Sequence, residues 1–84
     1  MKNLANNSDH AVASRRWFSD MLWRAFPAPS EHDLSVTAAR ALGVSPRQVK
    51  NWLREENDAS LRYVTAVMMI ASAESVLSVI ERRK

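Results

Sequence analysis

The chain predicts an all-α fold, a small bundle of four to five helices. Three observations carry this. Apolar residues recur at the 3.6-residue period of helices in several segments. The helix-breaking residues are few, one Gly and three Pro, and they cluster at 27–29 and 43–46 instead of scattering. Ser-Pro at 45–46 after Gly43 gives a helix stop followed directly by a helix start. Eighty-four residues, 46% of them hydrophobic, suit one small domain with a modest core.

Residues 1–13 contain Asn3, Asn6, Asn7, Ser8 and Asp9 without an apolar period, and predict a flexible arm. A minor-groove arm is the functional alternative, disfavoured because Lys2 is the one basic residue there. The packed domain is then 14–84. The first helix is expected over 14–26, with Trp17, Phe18, Met21, Leu22 and Ala25 on one side and Pro27 and Pro29 ending it. Trp23 points away from that stripe, either onto the C-terminal helix or out at an interface.

Ser30 and Asp33 have capping-box spacing and mark a turn or helix start. Ser35 is the expected cap of the next helix, 37–42. Gly43 stands where a left-handed residue is needed to stop it. Small Ala39 lets two helices approach closely across the turn, and Val44 is expected to plug the turn into the core. The next helix is expected over 46–56. Ser45 caps it, Pro46 takes the first position, and Gln48 closes the capping box. After Asn57-Asp58 a last helix begins near Leu61 and continues toward the end, with Ser72 to Ser75 as a point where it can divide in two.

At about 100° per residue, Val49, Trp52 and Leu53 share one face of the 46–56 helix. Arg47, Asn51 and Arg54 lie opposite, with Lys50 at their edge. Such a face suits the major groove of double-stranded DNA. Arg47 and Arg54 can fork onto guanine or grip phosphate, Asn51 can pair with adenine, and Lys50 fits phosphate or guanine. The Gln48 amide serves either the cap or a base edge. Ser45 can contact backbone phosphate at the helix N-terminus. Arg40, Arg15 and Arg16 are further phosphate candidates, the last two because cations at a helix start are otherwise unfavourable.

The net charge of +3 favours a polyanionic partner. Without cysteine, and with His10 and His32 as the two histidines, no metal site is expected. No nucleophile with a base partner and no phosphate-binding loop stands out, so neither an enzyme nor a cofactor is expected. The first ten residues are too polar for a secretory signal. The most apolar run, 63–71, is nine residues against about 20 for a membrane span. A cytoplasmic, nucleoid-associated protein is the expectation. Because 63–71 is apolar nearly all round, Val67, Met68, Ile70, Leu77 and Ile80 are expected to pack in part against a second copy, giving a homodimer, or against another protein partner.

From 35 to 71 the chain resembles the Cro/C1-type (Xre-like) helix-turn-helix regulators. The residues are Ala38-Ala39, Leu42-Gly43-Val44-Ser45, Trp52-Leu53, the polar loop 55–59 and Ser60-Leu61. The resemblance implies a lambda-repressor-like bundle whose second motif helix reads DNA, hence a transcription regulator. The chain departs from that pattern where the family carries a Gln, having Val36-Thr37, and in a longer link with two prolines. As a whole it is also similar to small prophage or gene-transfer-agent regulators of alphaproteobacterial type. The other function weighed is a protein-interaction adaptor that partners a larger regulator or RNA polymerase.

Overall fold

A computed structural model describes residues 3–82, with side chains from residue 9 onward. The described residues form four helices and no strand: α1 (Asn3–Ala25), α2 (Glu31–Leu42), α3 (Pro46–Leu53) and α4 (Leu61–Arg82). Early residues of α1 line a groove with 57–64, and late residues of α1 line another with Met68 to Ser75. The two long helices therefore run side by side in the same direction. The shorter α2 and α3 pack on each other, and α3 packs on α1. The result is elongated, 54 × 28 × 22 Å.

One core joins all four helices. Phe18, Leu22, Ala25 and Phe26 enter it from the first segment, Leu34, Ala38 and Ala39 from α2, Val49, Trp52 and Leu53 from α3, and Val67 and Ala71 from α4. Trp52 is its hub. Its ring meets Phe18 edge-on at 5.4 Å and lies tilted against Tyr63 at 5.4 Å, so three helices share one aromatic cluster. The Arg62 guanidinium lies 5.2 Å from the Tyr63 ring centroid and extends the stack toward solvent. Ser19, buried on α1, donates its hydroxyl proton to the Leu53 carbonyl at 3.0 Å, satisfying one acceptor at the end of α3.

Several boundaries differ from the sequence expectation. The helix expected to open at Ser14 begins at Asn3, and the stretch expected as an arm is largely helical. Residues 3–13 contain neither Gly nor Pro, and extending an existing helix costs far less than nucleating one. Met1 and Lys2 lie outside the described residues. Trp17, expected in the core stripe, is 42% exposed, while Phe26 beyond the helix end is buried. The second helix is capped by Ser30, whose hydroxyl accepts from the Asp33 N–H at 3.1 Å. Ser35, expected as the cap, is inside that helix and fully buried, its hydroxyl donating to the His32 carbonyl at 2.7 Å. The third helix stops at Leu53, a turn earlier than expected.

The fourth helix is continuous through Ser72 to Ser75. Val67, expected at a dimer interface, is fully buried inside the protomer, and Ile70 packs in part against the same core. Burial follows from their spacing: Val67, Ile70 and Ala71 lie three and four residues apart, on the one helix face that meets the core. Met68, Leu77 and Ile80 are exposed. By length and composition Leu61–Arg82 is apolar enough to cross a membrane, with a mean hydropathy of 1.7 over 18 residues. That corrects the expectation from the nine-residue run: beyond it, small Ala and Ser and the single charge of Glu74 leave the longer stretch apolar enough.

Candidate functional site

The outer face of α3 is set by the two turns that bracket the helix. At its entry Gly43 takes φ 73°, ψ 33°, and its N–H and that of Val44 both reach the Ala39 carbonyl, at 2.9 and 3.1 Å. Three residues link α2 to α3, with Ala39 buried and Val44 packed on the core. Ser45 then caps the next helix, accepting from the Gln48 N–H at 3.1 Å, with Pro46 in the first turn. Among the described residues, only the Ser45 half of the expected capping box is made, which leaves the Gln48 amide at the surface, half-buried.

At its exit Glu55 occupies the left-handed region at φ 61°. The Glu55 N–H bonds the Trp52 carbonyl at 3.1 Å and the Glu56 N–H bonds the Asn51 carbonyl at 2.9 Å. This is the paired closure usually made around glycine. No glycine marks it in the sequence, and so the early stop was not legible there.

Val49, Trp52 and Leu53 are buried, and the opposite face presents Arg47, exposed, with Lys50 and Asn51 half-buried. These three sit together as the sequence placed them. Arg54 is at the cap position, and its guanidinium donates to the Glu31 carboxylate at 3.0 Å. That hydrogen bond, and then the charge of Glu31, raise the Arg54 pKa above its ordinary value. Arg54 thus faces outward but is held by the first turn of α2. Arg40 is exposed on α2.

Arg15 and Arg16 do not open a helix; they sit midway along α1, which removes the helix-terminus reason for giving them phosphate partners. Arg15 donates from Nε to Asp58 at 2.7 Å, tying α1 to the loop after α3. Arg16 lines a shallow surface groove that also contains Asp9 and Asp20. The acidic partners Glu31 and Asp58 were missed in the sequence, because pairings 23 and 43 residues apart leave no local pattern. Among the described residues no group of three His, Cys, Asp or Glu converges to hold a metal ion.

Compared with known proteins, the chain matches no family model, no curated protein and no solved structure.

Proposed function

We propose that this protein is a sequence-specific DNA-binding transcription regulator of the bacterial nucleoid, in which α2, the Gly43 turn and α3 act as a helix-turn-helix and α3 enters the major groove. The observation that carries the reading is the division of α3: three buried apolar side chains on one face, and Arg47, Lys50 and Asn51 free of any protein partner among the described residues on the other. Arg47 and Asn51 have the fork and amide geometries that distinguish guanine and adenine. Ser45 and the first N–H groups of α3 offer a phosphate contact, with Lys50 and Arg40 as point charges beside it. Arg54 joins this set only by exchanging Glu31 for a phosphate or base.

Duplex selection from fragmented genomic DNA tests the reading, with Arg47→Ala/Asn51→Ala protein in parallel. The expected result is one enriched motif that the double variant loses. Equal binding by both proteins refutes base reading by α3. A second reading, an adaptor for a larger regulator or RNA polymerase, is favoured by the apolar outer face of α4. No enriched motif and no salt-dependent duplex binding would move the assignment there, since phosphate contacts release counterions.

A further inference from the structure

A surface helix packed on one side is normally polar on the other. The fourth helix is not. Between Arg62 and Glu81 its one charged residue is Glu74, and that side chain is half-buried on the core side with Val67 and Ala71. The face turned away from the core instead leaves Leu61 78%, Met69 67%, Val76 59% and Ile80 51% exposed. We propose that this face is covered by the same face of a second copy of the chain, related by a two-fold axis, with the two α4 helices antiparallel. This goes beyond the DNA reading and does not depend on it.

Three features favour a second copy. The outward positions Leu61, Thr65, Met69, Ser72, Val76 and Ile80 are spaced so that the pattern reads the same in both directions about a point between 70 and 71. An antiparallel copy therefore sets Leu61 against Ile80, Thr65 against Val76 and Met69 against Ser72, as an isologous contact requires. Ser72, at the centre, is small enough for close approach of the two backbones. The charges also agree: Arg62 at one end comes within a turn of the second copy's Glu81, and the positive end of each helix dipole meets the negative end of the other. A parallel pairing would place Arg62 beside its own copy.

The area places the contact among the small interfaces. A 22-residue helix is about 33 Å long, and a third of its lateral surface is roughly 450 Å², so the pair buries about 900 Å², at the low end for specific interfaces. The dimer is accordingly a weak, concentration-dependent one. A lipid surface fits less well. Inserting α4 across a bilayer takes Val67 and Ala71 out of the core and puts Glu74 at mid-depth. Lying on the surface, the helix has no Lys or Arg between Arg62 and Arg82 to line the polar side of an interfacial apolar face.

Sedimentation of the full chain from about one to several hundred micromolar tests the proposal, a range in which a small interface of this class associates. The mass is expected to move from the monomer's 9.5 kDa toward twice that value. Val76→Glu/Ile80→Glu, both at exposed positions, is expected to keep its helical circular dichroism and melting while Kd weakens by roughly a hundredfold, because each glutamate is desolvated against apolar side chains. The chain has no cysteine, so single cysteines report register. Ser72→Cys is expected to oxidise to a dimer, and Ile80→Cys to do so only when mixed with Leu61→Cys. A monomer at every concentration overturns the proposal, as does a dimer that the glutamates leave intact. Efficient coupling of Ile80→Cys to itself overturns the antiparallel register. A monomer that co-sediments with phosphatidylcholine vesicles, and loses that with the glutamates, reassigns the face to lipid.

Discussion

The two left-handed residues that bracket α3 give a paired prediction of opposite sign. A Cβ built on Gly43 meets nothing within 4 Å, so Gly43→Ala introduces no clash. What remains is the φ of +73°, which costs a non-glycine residue about 1–2 kcal/mol. Stiffening the unfolded chain returns about 0.4–1 kcal/mol of this. The net loss is about 1 kcal/mol. For a domain of this size that lowers Tm by roughly 4–8 °C. Glu55, at φ 61°, already bears the same strain, and Glu55→Gly should raise stability by about 0.5–1 kcal/mol, the strain relieved less the entropy glycine adds to the unfolded state. The positions lie at opposite ends of α3, so their effects should add. Thermal melts and urea titrations of both single variants and the double variant measure this, with the urea slope unchanged if only stability moves. Gly43→Asn should fall between wild type and Gly43→Ala, since asparagine tolerates this region better than other side chains. A neutral Gly43→Ala, or a Glu55→Gly that destabilises, would refute the claim that both turns are strained left-handed closures.

Three further outcomes are expected. Arg47→Ala and Asn51→Ala should each cost about 1–3 kcal/mol on the selected duplex and relax one base position, read by titration against single-base variants of the site. Glu31→Gln should release Arg54 and strengthen duplex binding about two- to fivefold with a steeper salt dependence, because an anion leaves the vicinity of the phosphates; weaker binding would mean that the ion pair holds the site in shape. Trp52→Ala should cost about 3–5 kcal/mol, whereas Trp52→Phe should cost far less than its lost volume suggests. The buried indole N–H has no hydrogen-bond partner among the described residues, and removing an unsatisfied donor offsets part of the cavity. Denaturant titration separates the two.

The legibility of this chain followed the range of the interactions. The Gly43 turn, the Ser45 cap and the inward set Val49, Trp52, Leu53 were readable because each is decided within four residues. The start of α2 was misplaced because two serines competed, and the choice between Ser30 and Ser35 depended on which hydroxyl the core leaves outside; Ser35 is fully buried. The extent of α1 was underestimated because its early residues lack an apolar period, yet a helix anchored at Phe18 and Leu22 propagates backward without one. The state of the arginines was not legible at all. Arg47 and Arg54 look equivalent on a helical wheel, but one is free among the described residues and the other held, and the difference is Glu31, in another helix.

The two surfaces argued for α3 and α4 are coupled through one cluster. Trp52 belongs to the helix proposed to read DNA, Tyr63 to the helix proposed to pair, and Phe18 of α1 contacts the indole that lies between them. Because Trp52 is buried, edge-on to Phe18 and tilted against half-buried Tyr63, the orientation of α3 relative to α4 is fixed within a protomer, and an α4 dyad would fix the two α3 helices relative to each other. Half-sites one helical turn apart require about 34 Å between the reading helices, within reach of two bodies each 54 Å long. The chemistries remain separable. Neutralising Arg47 should change the salt dependence of DNA binding and leave the mass unchanged. Charging Val76 and Ile80 should change the mass and leave the contacts of a single protomer with a half-site intact. Only on a two-half-site duplex should both sets of variants weaken binding together, because there the second protomer binds at the effective concentration set by the first.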